Sequence, residues 1–113
     1  MTPRQPADFL GEFEQMVLLA TLLLGDAAYA VPIRREIERR ARRVVSRGAV
    51  YITLDRLEEK GYLGSHLGEA TPERGGRARR YYRVKPAGVA ALKRSYAALE
   101  RMWEGAQTQL GEV

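Results

Sequence analysis

Cysteine is absent from the chain, which excludes a disulfide framework and thiolate chemistry. Histidine occurs once, at His66, and no carboxylate or nucleophile stands near it at a catalytic spacing. The same shortage of ligands argues against a metal site. Neither an enzyme nor a cofactor is expected. Long hydrophobic runs are missing too. The longest, Met16 to Leu24, is interrupted by Thr21 and falls well short of the roughly 20 apolar residues that span a bilayer. The N-terminus lacks a basic stretch, an apolar core and a small-residue cleavage site, so no signal peptide and a cytoplasmic location are expected. What remains is 113 residues, 45% of them hydrophobic, about one domain with one core.

Charge is present, and it is uneven. Arg34 to Arg47 holds seven Arg and two Glu, and Glu73 to Lys85 holds five Arg, one Lys and one Glu. Two basic segments on a neutral-to-acidic body point to a localised polyanion, with nucleic acid first and a membrane surface second.

The chain is organised around Ser46 to Gly61, SRGAVYITLDRLEEKG. Ser46 suits an N-cap, and Gly61 suits the left-handed turn at a helix end. Val50, Leu54 and Leu57 form one apolar face. On the other face Arg47, Gly48, Ala49, Tyr51 and Ile52 crowd the first turns, and the acids Asp55, Glu58 and Glu59 come later. Such a helix suits entry, N-terminus first, into the groove of a polyanion.

Residues 1–8 carry Pro3 and Pro6 and read as a loose arm. Phe9 to Leu24 reads as a helix whose apolar stripe, with Leu10, Phe13 and Val17, is wide enough for a core plus an interface. Tyr29 to Arg40 reads as a second helix, with Pro32 tolerated in its first turn. A short connection from Ala41 to Val45 then completes a helix-turn-helix pattern. Tyr62 to Leu67 and Arg79 to Val84 alternate as strands around GEATPERGGRA, residues 68–78. The hairpin is a candidate wing. Arg74, Arg77 and Arg79 lie at or near its tip, and Gly75 and Gly76 let its backbone approach a phosphate. Pro86 opens a last helix on which Val89, Leu92, Tyr96, Leu99, Trp103, Ala106 and Leu110 make a heptad seam. That seam exceeds what so small a core needs and predicts packing on a second copy. Tyr96 and Trp103 read either as interface core or as a platform for a flat aromatic ligand, and both readings stay open. The expected class is mostly α with a small β-hairpin: an arm (1–8), a winged helix-turn-helix (9–85) and a C-terminal dimerisation helix (86–113).

These residues resemble the PadR family of winged-helix transcriptional regulators, in its small variant with one C-terminal helix. The likeness rests on GEFEQMVLLATLL, Ala28–Tyr29, Ser46 to Tyr51, Leu57 to Gly61, and Arg80 to Val84 with Pro86 and Gly88. Ala49 departs from a common Thr, Lys85 from a capping Thr and Ala30 from a usual Gly. The resemblance implies a dimeric repressor on double-stranded DNA, with Ser46, Gly48 and Tyr51 facing the DNA. It also implies relief by small, often aromatic ligands, or control of transport genes. Arg47, Arg74, Arg77 and Arg79 are candidates on charge and position alone. The alternative is a winged helix that docks a protein or RNA, since a fold does not fix a function. Such a domain would expose apolar residues at the start of its third helix and need no basic wing.

Overall fold

The computed structural model describes residues 9–69 and 78–111. Four helices, α1 (Glu12–Leu24), α2 (Ala30–Ala41), α3 (Arg47–Glu59) and α4 (Pro86–Leu110), surround a hairpin of β1 (Leu63–Leu67) and β2 (Arg80–Val84). The hairpin is antiparallel, in register from Leu63 opposite Val84 to Leu67 opposite Arg80.

The caps explain where the helices begin and end. α1 starts at Glu12 and not at Phe9, because the chain before it is drawn out. The Leu10 N–H donates to Ser95 Oγ at 2.9 Å, and the Gly11 N–H donates to Glu14 Oε1 at 3.0 Å. Lys60 Nζ donates to the other Glu14 oxygen at 2.8 Å and ties the end of α3 to the start of α1. Burial works against the Glu14 charge, but the hydrogen bonds from Lys60 and Gly11 prevail and hold its carboxyl below the ordinary range. Arg42 closes α2 in the left-handed conformation at φ 55°, uncommon for a residue with a side chain. The Ser46 side chain accepts from the Ala49 N–H at 3.1 Å, so the expected cap of α3 forms. Gly61, at φ +80°, reverses the chain into β1.

Leu18, Ile33, Leu54, Leu57, Leu63, Val17 and Val50 fill the centre, fully buried. Tyr82 faces inward from β2, and its N–H donates to Ala28 O at 2.8 Å, which pins the hairpin to the α1–α2 connection. Leu67 shares a strand face with Leu63 but lies beyond the core and is exposed.

Gly88 sits where α4 crosses the base of the hairpin. A Cβ there would stand 2.5 Å from Tyr62 O and 2.9 Å from Val84 Cγ1. Backbone cannot yield as a side-chain tip can, so Gly88→Ala is expected to lower stability by about 1–3 kcal/mol. Urea unfolding monitored by far-UV circular dichroism reads this directly, and an unchanged midpoint would contradict the packing described.

Beyond Ser95, α4 leaves its own domain. Gly88, Ala91, Leu92 and Ser95 are its buried residues, whereas Tyr96, Leu99, Met102, Trp103 and Leu110 are exposed. The segment from Tyr96 to Leu110 extends about 22 Å at 1.5 Å per residue.

Candidate nucleic-acid interface

Ser46, Arg47, Gly48 and Tyr51 are exposed and Ala49 is half-buried, at the end of α3 that its cap leaves open. The first turn of a helix offers unpaired N–H groups and the positive end of the helix dipole. Arg47 and Tyr51 turn toward the hairpin. With Tyr29, Ala30 and Val31 of the α2 entrance and Ala78, Arg79, Arg80 and Tyr82 of the wing, they line an open cleft of about 540 Å³.

Aromatic rings hold the cationic side of this cleft. The Arg79 guanidinium lies 4.1 Å over the centre of the Tyr29 ring. Tyr29 meets Tyr81 edge-on at 5.5 Å, and Tyr81 stacks on His66 at 5.7 Å. A guanidinium already stacked on a ring loses less freedom when it binds an anion. His66 therefore has a packing role in the wing. Gly68 belongs to the same arrangement, since a Cβ there would stand 2.7 Å from the Tyr81 ring. Arg80 Nη1 donates to Ser65 Oγ at 2.9 Å, and Ser65 in turn donates to Glu58. Burial pushes the Tyr82 phenol up, against the pull of Arg80.

The arginines of α2 and of the turn that follows it are less available than their number suggests. Arg39 and Arg40 both bind Glu36, Arg34 lies 3.6 Å from Glu38, and Arg43 lies 3.0 Å from Glu12. The two arginines on Glu36 hold its carboxyl below the ordinary range. Among the described residues, Arg47 and Arg79 make no ion pair. Arg74, Gly75, Gly76 and Arg77 lie outside the described residues. The sequence marks Tyr29, Tyr81 and Arg80 only within the stretches that carry the family resemblance, and not as site residues. Their further signal lies in being aromatic and basic residues that flank the candidate wing and the entrance to the second helix.

The residues expected at a dimer interface divide into two groups. Leu10, Val17 and Leu92 were expected at a dimer interface, but they belong to the protomer's own core. Val17 has no exposed surface at all, so a partner has nothing there to cover. Phe13 is half-buried, with the Arg43 guanidinium 5.8 Å from its ring. The apolar face that α1 turns outward is Leu19, Leu22 and Leu23 instead. Tyr96, Leu99, Trp103 and Leu110 are exposed on α4, and Ala106 is half-buried. Leu19 and Leu22 join Gln15, Val89, Leu92, Lys93 and Tyr96 around a groove of about 450 Å³ between α1 and α4. Trp103 lies seven residues beyond Tyr96, about 10 Å further along the helix.

Among the described residues no group of three His, Cys, Asp or Glu could hold a metal ion. No described helix is long and apolar enough to cross a membrane.

Residues 18–94 match the Transcriptional regulator PadR-like family. The chain is 44% identical over 70 residues to the transcriptional regulator Rv3488 of Mycobacterium tuberculosis, a match covering 62% of this chain and 61% of that protein. It also resembles the solved structure of a transcriptional regulator from Clostridium thermocellum, at 27% identity and a TM-score of 0.68, covering 80% of this chain and 85% of the other. A PadR-like transcription factor from Bacteroides fragilis is similar at 27% identity and a TM-score of 0.69, covering 88% and 89%.

Proposed function

The chain belongs to the Transcriptional regulator PadR-like family, whose members are regulators and not enzymes, and from that premise we propose that it is a DNA-binding repressor acting as a homodimer on an inverted repeat. The observation that carries this reading is the cleft in which Arg47 and Tyr51 of α3 meet Arg79, the residue just before β2, beside the entrance to α2. Cations without a carboxylate partner, next to the open end of a helix, suit a sugar–phosphate backbone. Gly48 and the turn around it then come close to base edges in the major groove. Arg74 and Arg77, with Gly75 and Gly76 between them, join this proposal on their charge and sequence position alone.

The homodimer reading is supported by the two unpartnered apolar faces, Leu19, Leu22 and Leu23 on α1, and Tyr96, Leu99, Trp103 and Leu110 on α4. In a two-fold pair one protomer's faces can cover its partner's. Tyr96 and Trp103 from two copies would also give a flat aromatic compound a surface to stack on. Such a ligand would release the operator only by favouring an arrangement of the two α3 helices that does not fit DNA. Quenching of the fluorescence of Trp103, the single Trp of the chain, in parallel with weakened operator binding tests this ligand.

Selection of bound sequences from a random duplex pool tests the whole reading. It is expected to enrich a two-fold symmetric site. A pool that stays random after repeated rounds would overturn the DNA-binding reading.

A further inference from the structure

Two neighbouring positions on α3 have no explanation inside the protomer. Gly48 has a helical backbone, and a Cβ there would meet nothing within 4 Å. Glycine weakens a helix relative to alanine, and no internal contact requires it here. Ile52, one turn later, is 59% exposed, although a branched aliphatic side chain gains most from burial.

The helix geometry shows where these positions point. α3 buries Val50, Thr53, Leu54 and Leu57. At about 100° per residue, Gly48 points within about 10° of directly away from that buried face and Ile52 within about 30°. Tyr51 lies about 70° off and Arg47 about 110° off, toward the cleft. Whatever faces the first two turns of α3 therefore meets bare backbone at Gly48 and an aliphatic side chain at Ile52. Neither position offers a side-chain hydrogen bond.

In the major groove, base edges carry donors and acceptors, with one apolar feature, the C5 methyl group of thymine. We propose that Ile52 reads that methyl group in each half-site, and that Gly48 lets the helix backbone settle to the depth at which the contact forms. This proposal rests on the DNA-binding reading above. Any other base edge opposes a polar or bare surface to the isoleucine, so the contact discriminates by the methyl alone.

Deoxyuridine differs from thymidine only by that methyl. Starting from the selected operator, each symmetric pair of thymines is replaced by deoxyuridine in turn and the dissociation constant is measured. One pair is expected to weaken binding by about fourfold per half-site, about 15-fold for two. Ile52→Ala is expected to bind the thymine and uracil operators equally, and Ile52→Val to keep most of the difference. Because Ile52 is exposed, both variants should fold, and circular dichroism checks this. If no thymine pair is sensitive, or if Ile52→Ala keeps the full sensitivity, the proposal is overturned while the DNA-binding reading stands. If no operator can be selected at all, both fall.

Discussion

The double variant Leu99→Ala/Trp103→Ala is expected to be a folded monomer that has lost high-affinity operator binding. Both side chains are exposed in the protomer, Trp103 at 51%, so truncating them removes little from the protomer's own core. In a two-fold dimer each would be buried, and each would be counted twice. Truncating a fully buried Trp costs about 3–5 kcal/mol, enough with the symmetric copy to separate the pair at micromolar concentration. Losing the second half-site then lowers affinity by about 10²–10⁴-fold, the gain that linking two binding events supplies. Sedimentation velocity, circular dichroism and operator titration on one preparation separate the outcomes. If the variant instead lost thermal stability as a protomer while the parent was already monomeric, the seam would be packing on its own subunit.

Operator binding is also expected to collapse with salt. A protein that neutralises six to ten phosphates loses about 10³–10⁵ in affinity between 50 and 200 mM salt. The arginines should contribute unequally. Arg79 is stacked on Tyr29 and makes no ion pair among the described residues. Arg79→Ala should therefore weaken binding to all sequences alike and flatten the salt slope by about one unit per lost contact in each subunit. Arg74→Ala and Arg77→Ala are expected to do the same from the wing. Arg40 is engaged by Glu36, so Arg40→Ala should leave the slope nearly unchanged. Titrations at four salt concentrations read all of these. Equal slopes for the Arg79 and Arg40 variants would contradict the division of the arginines described here.

Much of this arrangement could be read from the sequence because it is written in local signals. Ser46 and Gly61 bracket α3 through their own backbone and side-chain chemistry. Pro86 begins α4, and the period-two alternation around Tyr82 gives β2. What escaped depends on contacts between distant residues. Leu10 and Val17 share the helical spacing of the outward leucines on α1, and periodicity cannot tell which side of a wide stripe meets the core. The tie from the Leu10 N–H to Ser95, 85 residues away, decides how the chain enters α1. Likewise, the net charge of Arg34 to Arg47 overstated that segment's share of the interface, because Glu36, Glu38 and Glu12 claim four of its arginines. Tyr29 and Arg79 lie fifty residues apart in the chain and meet only once the hairpin folds back onto the connection that leads into α2.

The most direct measurement of the central claim, that two copies of α3 enter successive major grooves on one face of the duplex, is the dependence of affinity on half-site spacing. Two-fold proteins of this geometry require half-sites about 10 base pairs apart, or a multiple of that. Inserting five base pairs at the centre of the selected operator turns one half-site to the opposite face. The account predicts a loss of at least about 10²-fold with five inserted pairs and recovery of part of it with ten. Affinity unchanged by either insertion would contradict the claim and leave each protomer binding alone.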